Sequence, residues 1–333
     1  MSRQSPGSLF SEQLAKAFLG GSLKLPMWVP VEANPPEAAL VLLEGWGNEP
    51  LDVSQRHAIV EMNPLLIGVL LADDEPLAPA AEPSLVVMER SPAGNLGRVR
   101  LCPRQRIPLA TSSREFSTLQ IFAVEGCSND CLDLPRLRLV YLVERWRLAF
   151  DNNPRNEKMS PMELFCMWVL YSYPRRVNVV SFLHPSGINM FPMDLASGFA
   201  GDLGILCFHR ARPCLPLVRE ARKLAVCSVP VEDAPRVFGI GKNHQIATLD
   251  RRELPFETMP SPTFGIPVPQ GALSIREVTV EEIHEVPRHQ IVIGRTVSSA
   301  GGGAAMALVH RLYYQRLLRE GRPMRASIRE RAG

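Results

Sequence analysis

Apolar residues in this chain gather in short runs broken by proline, the pattern of a strand-rich fold with many turns and no long helical bundle. The clearest break is the polar stretch FDNNPRNEKMSP at 150–161, which reads as a linker. It leads into SPMELFCMWVLYSY, where Ser160 stands at the N-cap, Pro161 at the first helical position and Glu163 three residues beyond the cap. That is a capping-box signature. The helix it opens is strongly apolar, so burial is expected, and Pro174 ends it.

Beyond Pro174 the pattern predicts a strand over 177–183, a loop over HPSGINMFPMD and a second strand over 203–209. A helix follows over LPLVREARKLA, with Leu215, Val218, Ala221 and Leu224 as its apolar stripe. Next come a strand at 225–229, a helical turn around EDAPRVFGIG and an irregular span from 242 to 270. ALSIREVTVEEIHEV and HQIVIGRTVSS read as a hairpin hinged at Pro287-Arg288. AAMALVHRLYYQRLLREG reads as a closing helix, and the basic tail after Gly321 as a frayed end.

The first half carries an echo of the second. LLIGVLLADDEP at 65–76 matches DLGILCFHRARP at 202–213, each an apolar strand running into charge and then proline. STLQIFAVEGCSNDCLDLPRLRLVYLVERW also aligns with GALSIREVTVEEIHEVPRHQIVIGRTV, setting Leu119, Ile121 and Val124 opposite Leu273, Ile275 and Val278. Duplication and two unrelated β-hairpins both account for these matches.

A length of 333 residues suits two domains of about 150 each. The division expected is a divergent N-terminal domain over 1–150, a second domain over 160–320 and the tail at 321–333. With 37 basic and 34 acidic residues, nothing in the charge demands nucleic acid, while small anionic ligands stay open. No apolar run reaches the roughly 18 residues of a membrane span. MSRQSPGSLFSEQLAKAFLGG lacks a signal-peptide core with a cleavage site, so a cytoplasmic location is expected. The 7 cysteines are odd in number and mostly in apolar contexts, which suits reduced core thiols. Cys127 and Cys131 have no second pair or nearby histidine to complete a metal site, and no metal is expected.

Several stretches bear on chemistry. Pro185-Ser186-Gly187 is good turn chemistry in any hairpin. FGIGKNH lacks the Gly-Lys-Ser/Thr ending of a phosphate loop and reads as a turn. SSAGGGAAMA could offer backbone amides to an anion, yet it does not match the dinucleotide fingerprint and reads as a flexible connection. No Gly-x-Ser-x-Gly elbow appears.

Three pieces in order, YPRRVNVVSFLHPSGINMFPMD, CFHRARPCLPLVREARKLAVCSV and VPRHQIVIGRTV, give residues 174–300 a resemblance to the flavin reductase family. The resemblance implies a mainly β (α+β) fold with peripheral helices: an FMN-binding split β-barrel, either alone or as a tandem pseudo-dimer with a degenerate N-terminal barrel. It also implies bound FMN at a homodimer or intrachain pseudo-dimer interface. NADH or NADPH would supply hydride, and electrons would pass to oxygen, free flavin or a partner oxygenase. By the same resemblance Asn189, Met190, Phe191 and Pro192 would run along the isoalloxazine and ribityl chain, and His289 would approach the nicotinamide side as the catalytic candidate.

The departures from the family pattern fall on the phosphate side. Asp194 stands where the family has Ser, Cys214 where it often has Thr, and Leu217 where it has Asn. Arg210 and Arg212 are left to meet the phosphate, since guanidinium forks suit its oxygens. The competing expectation is a non-catalytic flavin-binding or assembly module that keeps the barrel.

Overall fold

The computed structural model describes residues 25–76, 79, 81–91, 93–110, 115–131, 134–149 and 159–327. The linker at 150–158 and the tail beyond Ser327 lie outside them. In chain order the strands of the first half are β1 (Trp28–Ala33), β2 (Ala39–Glu44), β3 (Leu51–Asp52), β4 (His57–Met62), β5 (Leu65–Leu71), β6 (Ser84–Arg90), β7 (Ala93–Pro108) and β8 (Thr118–Asn129). Those of the second are β9 (Arg175–Arg176), β10 (Asn178–His184), β11 (Gly187–Met193), β12 (Leu203–His209), β13 (Lys223–Ser228), β14 (Thr258–Pro260), β15 (Pro267–Pro269), β16 (Ser274–Glu285), β17 (His289–Gly301) and β18 (Ala305–His310).

The two main sheets share one topology. The first runs β3-β2-β6-β7-β8-β5-β4 and the second β11-β10-β13-β16-β17-β12, antiparallel throughout. Strand for strand, β2 answers β10, β5 answers β12, and the hairpin β7–β8 answers β16–β17. Even the seventh position is echoed. Where β4 flanks β5, the segment 195–197 flanks β12 through the Ser197 amide to Ile205 oxygen (2.9 Å) and the Cys207 amide to Leu195 oxygen (3.0 Å). The fold is therefore mainly β, two curled half-barrel sheets of matching order.

The pairing of 65–76 with 202–213 thus agrees with the topology, but the second alignment is one strand out of step. β8 corresponds to β17, and PRLRLVYLVERW is not a strand: it lies in the helix Leu134–Ala149. Its leucines recur at helical as well as alternating spacing, and periodicity alone does not separate the two.

Two other expectations change. HPSGINMFPMD is a hairpin, not a loop: Asn178 to His184 pairs in register with Met193 to Gly187, so Phe191 sits opposite Val180. Pro185-Ser186 make the turn, and Gly187 leaves it at φ +138. The expected closing helix is split, with AMALVH forming β18 between β1 and β9 and only Arg311–Arg319 helical. All six residues of β18 are buried, which favours a central strand over an amphipathic helix. The tail is anchored as far as Ser327: the Glu32 amide donates to Arg325 oxygen (2.8 Å) and the Ser327 amide to Pro30 oxygen (3.1 Å).

The helix Pro161–Leu170 opens with the expected capping box, Ser160 Oγ accepting from the Glu163 amide (3.2 Å) and Glu163 Oε2 from the Ser160 amide (2.9 Å). Glu163 Oε1 also accepts from the Leu65 amide (2.8 Å), so the cap joins the second half to β5. β5 is buried at every position because it is covered on both faces. At Gly68 a side chain would collide with Val60 and Leu119 and touch Ile205 of β12. One large apolar cluster runs through both halves, and a second fills the C-terminal barrel around Phe182, Phe191 and Phe208. Among the described residues no helix is long and apolar enough to cross a membrane.

Candidate functional site

A cleft of about 270 Å³ opens along the seam between the halves. The first half contributes Pro35, Pro36, Gln55 and His57. The second contributes β9 with Tyr173, the turn from Asp194 to Phe199, Arg276 on β16 and the glycines that end β17.

One wall is a hydrogen-bonded chain. Arg175 Nη1 donates to the Tyr173 hydroxyl (3.0 Å), which lies 2.6 Å from His57 Nε2, while His57 Nδ1 lies 2.6 Å from Val53 oxygen. Burial, and then the Arg175 charge, lower the His57 pKa to about 4, so the ring is neutral. With Nδ1–H donating to the carbonyl, Nε2 accepts from Tyr173. The Arg175 guanidinium also lies over the rings of Tyr171 (5.3 Å) and Tyr173 (5.9 Å). Its Nε has no hydrogen-bond partner although the side chain is buried. An unspent donor beside a cleft is the kind of atom a ligand satisfies.

The floor is shaped by Phe199. Its backbone has φ +59, unusual for a bulky residue and a strain of roughly 1–3 kcal/mol. Ser197 Oγ holds this turn by accepting from the amides of Phe199 (3.3 Å) and Ile205 (2.9 Å). Gly204 lies against the ring, where any Cβ would clash with it. Arg276 stacks on the ring at 4.8 Å. Arg176 donates to Asn34 Oδ1 (3.1 Å) and Gly303 oxygen (3.0 Å). Burial lowers the pKa of both arginines, and for Arg276 the neighbouring Arg176 charge adds to it. Both stay charged, so the cleft is electropositive.

Of the residues expected from sequence, Asp194 alone lines this cleft. Tyr171 donates to its Oδ2 (2.7 Å), which holds the carboxylate in place. Asn189 is fully buried, and its amide donates to the carbonyls of Asn243 (3.2 Å), Ile246 (2.9 Å) and Ala247 (3.2 Å). The FGIGKNH turn thus caps β11, with Asn243 Nδ2 returning a bond to Met190 oxygen (2.8 Å). Met190 and Phe191 are core residues, Phe191 meeting Phe208 edge-on, and Pro192 is half-buried. Arg210 pairs with Glu285 (3.1 Å). Arg212 lies over Phe191 (5.9 Å) beside His244. His289 is buried against Glu61 of the other half (2.7 Å).

The residues that sequence reading missed are Tyr173, Arg175, Arg176 and Arg276. Arg175-Arg176 stands in the same YPRR segment that opened the family resemblance, and a doubled arginine just before a buried strand was the available signal. Arg276 gave none, because an arginine in an alternating strand reads as its solvent face. The AGGG stretch read as a flexible connection also reaches the cleft.

No family model matches the sequence, and no curated protein matches it. Solved structures do. An FMN-binding protein from Thermus thermophilus is 22% identical with a TM-score of 0.33, over 39% of this chain and 71% of that one. An NADH:FAD oxidoreductase from Streptomyces globisporus is 15% identical at 0.40, over 47% and 95%. The flavin reductase of styrene monooxygenase from Pseudomonas putida S12 is 15% identical at 0.35, over 44% and 93%. Part of the chain is similar in fold to these flavin proteins. The likeness is one of fold.

Proposed function

We propose that this chain is a flavin-dependent NAD(P)H oxidoreductase that holds FMN in the seam between its halves. The observation that carries the reading is the cleft itself: it is built from both halves of a doubled fold, and it sets three arginines and one aromatic floor around a space with a single carboxylate, Asp194, among its lining residues. In this reading the seam takes the place of a homodimer interface, and one chain has one site.

The residues present fit such a group. Phe199, Val226 and the Pro35-Pro36 corner give a flat ring apolar surface, while the free Nε of Arg175 suits a ring carbonyl or nitrogen. Bound flavin would supply the hydride acceptance and onward electron transfer to oxygen, free flavin or a partner oxygenase. The protein's part is positional. Tyr171 holds Asp194 by a hydrogen bond, which keeps the carboxylate from turning freely toward an anionic ligand. Neutral His57 fixes Tyr173, and Tyr173 fixes Arg175, so the guanidinium is pre-set before a ligand arrives. The seam excludes water from the buried wall.

His289 has a structural part here, joining the halves through Glu61. Hydride transfer to a flavin requires no side-chain acid, so none is assigned.

Purified protein mixed with FMN tests the proposal. Anaerobic NADH or NADPH should bleach the bound flavin; protein that neither binds FMN nor oxidises either nucleotide would overturn it and leave the non-catalytic module.

A further inference from the structure

Arg176 and Arg276 line the same cleft, and among the described residues neither forms an ion pair with an acid. Among the described residues Arg311 pairs with Glu144, Arg295 with Asp202 and Arg56 with Glu75, whereas Arg212, outside this cleft, also has a buried Nη1 without a partner. Two partly buried guanidiniums that line one cleft and repel one another leave a position where an anion would be stabilised, and the one carboxylate lining that cleft, Asp194, is held by Tyr171 (2.7 Å). Beside them Gly301, Gly302 and Gly303 all have positive φ, of 76, 154 and 94, and nothing lies within 4 Å of where a side chain at Gly302 or Gly303 would begin. A substituent larger than hydrogen is absent where space next to the arginines is open. Arg175 lines the same cleft, and its buried Nε has no hydrogen-bond partner.

We propose that this corner seats a phosphate monoester, gripped by Arg176 and Arg276 with Ser299 and Gly303 at its edge. Two guanidiniums match the near-dianionic charge of a monoester at neutral pH, and their planar forks suit its oxygens. The assignment rests on the reading that the cleft takes flavin and nicotinamide ligands, and it goes beyond it by moving the phosphate away from Arg210 and Arg212. Arg210 shares Glu285 with Arg219 (3.1 and 3.5 Å), so its charge is already answered. Arg212 is turned over Phe191 and does not line the cleft. The monoester has two sources in this chemistry, the 5′-phosphate of FMN and the 2′-phosphate of NADPH.

Matched ligand pairs separate them. Full-length wild type, Arg176→Gln, Arg276→Gln and Arg210→Gln are titrated with FMN against riboflavin and with NADPH against NADH. The preference for the phosphorylated member of one pair should fall roughly ten- to hundredfold in both cleft variants and stay unchanged in Arg210→Gln. A fall in the first pair names FMN as the source, and in the second NADPH. Inorganic phosphate on wild type needs no substitution: it should compete with the phosphorylated ligand and not with its unphosphorylated partner. Preferences unchanged in both cleft variants, a fall in Arg210→Gln alone, or no competition by phosphate overturns the assignment while the flavin reading stands. Wild type that binds neither flavin nor nucleotide overturns both.

Discussion

Glu61 on β4 and His289 on β17 meet across the seam, Oε1 to Nδ1 at 2.7 Å, with both side chains buried. The other carboxylate oxygen accepts from the backbone amides of Arg288 (2.6 Å) and His289 (3.2 Å). Burial alone would raise the Glu61 pKa, but these bonds outweigh it and bring the group down to about 2.

Glu61→Ala strands an imidazole and the amides of Met62, Arg288 and His289. A loss of about 3–5 kcal/mol is expected, as for other broken buried pairs, read from the urea midpoint. An unchanged midpoint would show that the halves are held together without this contact.

Acid should loosen the protein well before its carboxylates titrate. Burial first, then nearby arginines, lower His57 to about 4, His244 to about 3 and His310 well below its usual value. As pH falls below about 6.5 the unfolded chain therefore binds protons that the folded chain refuses. The stability of the neutral rings is complete above about pH 6.5 and is lost as pH drops through the folded values; Glu61 adds to the loss from about 4.5 down to about 2. Urea midpoints should fall steadily from about pH 7 to about pH 4.5. A flat or rising profile would contradict the buried neutral histidines.

Asn189→Asp separates two roles for one residue. The sequence resemblance sets Asn189 against the flavin ring, whereas in the fold its amide serves three carbonyls of the 243–247 turn. An aspartate there keeps the Met190 amide as a donor to one oxygen (2.7 Å) but turns the other toward three carbonyls, so a stability loss of several kcal/mol, on the order of 2–5, is expected. FMN affinity of the folded fraction should be unchanged. Weakened affinity at unchanged stability would return the ring to β11.

That contrast also shows what the sequence could and could not carry. The strands at β10, β12 and β13, the β16–β17 hairpin, the Ser160 capping box and the β5–β12 correspondence were all legible, because periodicity and turn chemistry are local. HPSGINMFPMD looked like a ligand loop because Gly, Asn and Pro favour turns, yet only Pro185-Ser186 make the turn, and Gly187 to Met193 pairs with β10. What sealed Asn189 was a segment more than 50 residues away, which no local pattern announces. The arginine cluster is of the same kind: Arg176 and Arg276 are brought together only by the β18–β9 pairing and the curl of the second sheet.

Gly204→Ala tests the floor of the cleft. The added methyl would clash with the Phe199 ring, which already sits in a strained turn. A stability loss of about 1–3 kcal/mol is expected, with weaker FMN binding as Phe199 shifts. Full stability and unchanged affinity would mean that the ring is free to move and shapes nothing.

The seam itself is tested most directly by the structure of the protein crystallised with FMN. The isoalloxazine ring is expected between Phe199 and the Tyr173–Arg175 wall, one flavin to each chain. Flavin density beside Phe191 and His289, or between two separate chains, would contradict the account.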